Sequence, residues 1–164
     1  MNLALSKISD EKPLVKKPNS PEMQAAIFRL EEKIKEMPQA ELEYIHRFTP
    51  GLYTREMIVP EGVILTGAIH KTEHISIFLE GKMLVPDEEL GNVVIEPPMV
   101  EIAQPGVKRV GVALERVRWL TVHPTEETDV ETLEDMLSTN DRDWETASYP
   151  PERSIYARSC GWHR

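Results

Sequence analysis

The chain has one cysteine, Cys160, so no disulfide can form within it. That removes any reason to expect a disulfide-built scaffold from an oxidising compartment. No apolar run reaches the roughly 20 residues that cross a bilayer. Lys7, Asp10, Glu11 and Lys12 interrupt any leader-like segment in residues 1–20. Positive charge is in deficit, with 19 Lys and Arg against 28 Asp and Glu and a net charge of -9. Such a surface repels phosphate backbones, which excludes general nucleic-acid binding. Aromatics are scarce at 6%, against 40% hydrophobic residues overall, so the core is adequate but not rich. No GxSxG, P-loop, CxxC or HExxH pattern occurs, and nucleophilic hydrolysis has no support. The expectation is one soluble intracellular domain, or a soluble part of a larger assembly, with no membrane partner.

What the chain has in quantity is proline, 13 residues, and these divide it into short pieces. Residues 1–19 form a lysine-bearing arm with no core of its own. Residues 20–48 read as a helical segment. Ser20-Pro21 supplies an N-cap and a first-turn proline. Met23, Ile27, Leu30, Ile34 and Met37 then follow at helical spacing up to Pro38. Residues 39–48 read equally as a second short helix or a connector. Residues 50–124 alternate short strand patterns with Gly/Pro turns and leave no room for crossover helices. The expected fold class is therefore mainly β, a sandwich or small closed barrel. Residues 125–147 are acidic, with Thr128-Asp-Val-Glu131 as a capping box for a short C-terminal helix. In the tail, 148–164, Arg153, Arg158 and Arg164 are interspersed with Tyr149, Ile155, Tyr156 and Trp162, a composition suited to interfaces. The two basic ends on an acidic chain point to a homo-oligomer or another partner held through the termini.

Three histidines and an acid form the one candidate ligand cluster: His70, Glu73, His74 and His123. In an unbroken strand His70 and His74 would stand about 13 Å apart, too far for one ion. They share a metal only if Lys71-Thr72-Glu73 bends. Ile75, Ile77 and Leu79 form one apolar face of the next strand, with His74, Ser76 and Phe78 on the other. His123 shares its face with Trp119 and Thr121. Such donors suit one divalent transition metal, whether zinc, iron, manganese or nickel. They equally suit metal-free hydrogen bonding across a barrel interior. Arg109, beyond the Pro105-Gly106 turn, is positioned either to contact an anion or to pair with a surface acid.

The stretch from Gly67 to Gly81 and the Pro105-Gly106 turn resemble the two motifs of the cupin superfamily. That resemblance implies a small jelly-roll barrel, a double-stranded β-helix, over residues 50–124. Counted back from Gly81, His74 stands at the usual glutamate, His70 at the second histidine and Ala68 at the first. Arg109 stands where the second motif carries its histidine. The usual ligand set is thus altered, and a rearranged set of His70, His74 and His123 is the alternative. More narrowly, His-Lys-Thr-Glu-His at 70–74, Pro-Gly-Val-Lys-Arg-Val-Gly at 105–111 and Thr-Val-His-Pro-Thr-Glu-Glu-Thr-Asp at 121–129 resemble uncharacterised cupin-like proteins of tailed bacteriophages and prophages. This implies a virion or host-cytoplasm location and phage structural proteins as partners. The functional expectation is a non-enzymatic binding or assembly module, a virion structural component. The alternative is a metal-dependent cupin enzyme, an oxygenase or isomerase, acting on a small substrate.

Overall fold

The computed structural model describes residues 12–144. The interface reading of the tail, 148–164, lies outside the described residues, as does residue 1–11 of the arm. The described end of the arm docks on its own domain. Leu14–Lys16 forms β1, which runs parallel to Met99–Ala103 and covers that sheet edge. Asn19 Oδ1 then accepts from the Lys108 amide at 2.7 Å.

Ser20 caps the first helix as its sequence predicts, its hydroxyl accepting from the Met23 amide at 3.2 Å. Helix α1 spans Pro21–Lys35. Its buried face differs from the expected stripe: Ile27 and Phe28 are inside, while Leu30 and Met37 are exposed. The face is turned by Lys108, a wholly buried lysine. Its ammonium lies 4.4 Å from the Phe28 ring centroid. It also lies 2.9 Å from Glu31 Oε2 and donates to the Gly67 carbonyl at 2.8 Å. A charged group removed from water needs these partners, and they bind helix to barrel.

Residues 39–48, ambiguous in sequence, do not form a second helix. Glu43–Thr49 is β2, paired antiparallel with β3, Leu52–Val59, across a turn at Gly51. The strand expected over 63–70 is broken at Gly67-Ala68 into β4, Ile64–Thr66, and β5, Ile69–His70. Strand β6, His74–Glu80, follows. The polar loop expected at 86–92 is shorter. Strands β7, Met83–Asp87, and β8, Gly91–Ile95, run into a tight hairpin. Asp87 Oδ1 accepts from the Glu89 and Leu90 amides, holding the turn in place of backbone pairing. Strands β9, Met99–Ala103, β10, Val110–Ala113, and β11, Val117–Pro124, complete the barrel.

A six-stranded sheet in the order β1-β9-β6-β11-β3-β2 faces a four-stranded sheet in the order β4-β10-β7-β8. The fold is mainly β, a small jelly-roll barrel of two packed sheets, as expected. Between the sheets, Val59, Phe78, Met83, Ala113, Val117 and Trp119 form the apolar core. Helix α2, Val130–Leu137, begins one residue later than the expected box. Asp129, not Thr128, is the cap, accepting from the Thr132 amide at 2.8 Å. Leu133 and Leu137 of α2 close one end of the barrel over Tyr53. Strand β12, Ser138–Thr139, then pairs with β5. Among the described residues no helix is long and apolar enough to cross a membrane.

Candidate metal and ligand pocket

The break at Lys71-Thr72-Glu73 is present. It moves the chain from β5, which pairs with β12, into β6 of the large sheet. His70 and His74, at the two sides of this break, end with ring centroids 4.2 Å apart. His123 on β11 lies 4.7 Å from His74 and 6.3 Å from His70 by the same measure. All three rings are buried. Glu73, the fourth candidate, is half-buried in the turn and does not line the adjoining cavity.

The parity within β6 follows from this placement. His74, Ser76 and Phe78 point inward, and Ile75 and Leu79 are 44% and 41% exposed on the outer face. Trp119, Thr121 and His123 share the inner face of β11, as their alternation predicts, and the Trp119 indole donates to Ser76 Oγ at 2.6 Å.

Hydrogen bonding assigns the tautomers of two rings. His74 Nδ1 donates to the Thr72 carbonyl at 3.2 Å, leaving Nε2 with the lone pair. The Thr121 hydroxyl donates to the Arg55 carbonyl at 3.4 Å and so accepts from His123 Nε2 at 3.0 Å. That leaves the lone pair on His123 Nδ1. His74 Nε2, His123 Nδ1 and His70 Nδ1 are all buried and have no hydrogen-bond partner. Three unpartnered ring nitrogens, two of them acceptors, in one small volume are costly unless something else uses them.

The rings are held neutral. Burial is the largest cause for each, since it penalises the charged form. His70 is pushed well below its ordinary value, with His74, Arg109, Arg55 and His123 adding to the effect. His74 is lowered to about 4 by burial and by Arg109 and Arg55, against the opposing Thr72 bond. His123 is lowered to about 3 by burial, His74 and Arg55. Neutral imidazole is the form that ligates metals. The rings lie stacked, with interplanar angles of 9° to 30°. As they stand, no group of three or more His, Cys, Asp or Glu among the described residues is arranged to hold an ion.

His70 also lines a cavity of about 550 Å³ that opens between the sheets. Arg109 is on its wall, where the guanidinium pairs with Glu101 and lies 5.0 Å over Trp119. Its role as a partner for an acid is thus met inside the protein. Arg55, which the sequence reading passed over, lines the same cavity. Its position in β3 between inward-facing Tyr53 and Met57 was the available signal.

No family model matches the chain, and no curated protein is significantly similar to it. Solved structures with a similar course include a cupin domain from Bordetella pertussis, at 12% identity and TM-score 0.42 over 54% of this chain and 98% of that one. Another is ectoine synthase from P. lautus, at 14% identity and TM-score 0.47 over 63% and 78% of the two chains. A third is an acetylacetone dioxygenase from Acinetobacter johnsonii, at 12% identity and TM-score 0.43 over 76% and 80%. At these values the likenesses assign neither an activity nor a ligand.

Proposed function

We propose that the barrel binds one divalent transition metal through His70, His74 and His123, beside a cavity that admits a small molecule. The observation that carries this reading is the group of three buried imidazole nitrogens left without partners. The donor chemistry fits zinc, iron, manganese or nickel, all of which accept neutral imidazole. Thr72 and Thr121 engage the opposite nitrogens of His74 and His123, which sets the tautomers that leave His74 Nε2 and His123 Nδ1 with free lone pairs. Binding requires the stacked rings to turn until their free nitrogens converge. A bound metal would polarise an oxygen of a small ligand at a coordination position left open toward the cavity. This supports the metal-dependent alternative more than a closed, purely structural barrel.

The test is elemental analysis of the full chain after loading with each metal and desalting. The expected result is one metal per chain, lost in the His70→Ala/His74→Ala/His123→Ala variant. His123→Phe, which keeps a ring against Tyr53, should lose it too. A chain that retains none of the four metals would overturn the reading.

A second reading, an assembly module such as a phage particle component, is favoured by the outer face of the large sheet. There Ile75, Leu79 and Val100 are exposed, the last by 57%, where the packed face of a sheet would ordinarily be covered. On this reading a second copy covers that face, and native mass spectrometry returns a homo-oligomer. Ile75→Lys/Val100→Lys should then shift the mass to monomer. A wild-type chain that is monomeric at high micromolar concentration removes it.

A further inference from the structure

The cavity is layered along the strands. In β3 and β11 one inner row holds Tyr53 and His123, the next Arg55 and Thr121, the next Met57 and Trp119. Successive inner rows are about 7 Å apart, two residues of strand rise. The cavity therefore passes from the histidines, through a cationic row, to an apolar end completed by Leu42, Leu65 and Met83.

Arg55 differs from the other arginines in this region. Arg47, Arg109, Arg116, Arg118 and Arg142 each lie within 4.0 Å of a carboxylate. Arg55 has no such partner among the described residues; its guanidinium carbon stands 5.8 Å from the Tyr44 ring centroid. The exposed Glu134 and Asp135 and the half-buried Lys71 also line the cavity, and Lys71 donates to the Asp135 carbonyl. Arg109 is neutralised by Glu101. Arg55 and Lys71 together match Glu134 and Asp135 in charge, but the two acids are exposed and Arg55 is half-buried with no carboxylate partner among the described residues. The wall thus offers one local cationic contact, which favours a monoanion over a phosphate dianion.

We infer that the cavity binds a small organic monocarboxylate, its carboxylate on Arg55 and the Thr121 row and its aliphatic end against Met57, Met83 and Trp119. This goes beyond the metal reading and does not depend on it. The carboxylate itself sits one row from the histidines, with the alkyl chain running away from them toward the apolar end.

The experiment is isothermal titration calorimetry on chelator-treated full chain, with straight-chain monocarboxylates from acetate to octanoate. The primary amides of the same chains are the neutral controls. Saturable binding of an acid is expected, strengthening with chain length, with its amide weaker by about tenfold or more, as loss of a charge-assisted contact implies. Arg55→Met should abolish the preference for acid over amide, and Arg55→Lys should keep part of it. Equal binding of acid and amide, or no binding of any acid, overturns the proposal. So does an unchanged preference in Arg55→Met with wild-type circular dichroism. If Arg55→Met fails to fold, the acid-amide comparison on the natural chain decides alone. Because the protein is metal-free throughout, a negative result here leaves the metal measurement unaffected, and the reverse also holds.

Discussion

Acidifying the metal-free protein from pH 8 to pH 5 will lower its stability by about 2 kcal/mol for each of His74 and His123, with His70 acting in the same direction. In the unfolded chain these side chains take up protons near pH 6.5. In the folded protein they do not, because burial holds His74 down to about 4, His123 to about 3 and His70 well below its ordinary value. Between those limits the unfolded state binds more protons, so stability rises with pH through the window. The contribution is complete above about pH 6.5 and is lost as pH falls toward the folded values. The carboxylates with depressed values, Glu32, Glu56, Asp87 and Asp129, titrate mostly below pH 5 and add little to this interval. Urea midpoints measured at pH 8, 6.5 and 5 should fall in order, and His123→Phe should flatten the slope by about one proton. A midpoint unchanged from pH 8 to pH 5 would mean that the rings are not buried neutral. Metal ligation should steepen the same dependence, since protons then compete with the ion for each nitrogen.

Gly81→Ala should destabilise the barrel by roughly 2–5 kcal/mol, combining backbone strain with an overpacked contact. Gly81 turns β6 into β7 with φ of +85°, a region that side chains disfavour. A methyl group there would also stand 2.1 Å from the Arg116 carbonyl oxygen and 2.9 Å from its carbon. Both are backbone atoms and cannot rotate away. The turn before β7 would have to separate from the turn before β11, which carries Trp119, Thr121 and His123. Gly62→Ala is the matched control. Its φ is +81°, yet nothing lies within 4 Å of the added carbon. It should cost only the strain, about 1–2 kcal/mol. Thermal melts of the two variants separate the contributions. Equal losses would show that packing against Arg116 is unimportant.

Turns and the first helix cap were legible because single residues determine them, while the second cap was read one residue early, at Thr128 rather than Asp129. Ser20-Pro21, Gly81 and Pro105-Gly106 each stand where the local backbone needs them, and alternation placed Trp119, Thr121 and His123 on one face. The break between His70 and His74 was readable only as a condition for sharing a site. Its direction depends on β5 leaving the large sheet to pair with β12, a contact between residues 69–70 and 138–139 that no local pattern encodes. Strand β2 was obscured because Glu43–Thr49 pairs along one edge only and lies largely exposed, so hydrophobic alternation is weak there. Face assignment in β6 was harder for a different reason. Its most apolar residues, Ile75 and Leu79, lie outside, and its inner face spends two positions on His74 and Ser76. A cavity lined with polar groups inverts the usual pattern. Arg55 was missed on the same grounds, since a cation beside Tyr53 and Met57 looks like an interruption of the core rather than part of a site.

X-ray absorption of the metal-loaded protein tests the central claim most directly. Three imidazole nitrogens should coordinate one ion at about 2.0–2.2 Å, with the remaining positions filled by oxygen donors that lack the outer-shell scattering of an imidazole ring. His123→Phe should reduce the imidazole scattering and the metal content together. A spectrum with no imidazole signal, or one unchanged by His123→Phe, would contradict a site built from His70, His74 and His123.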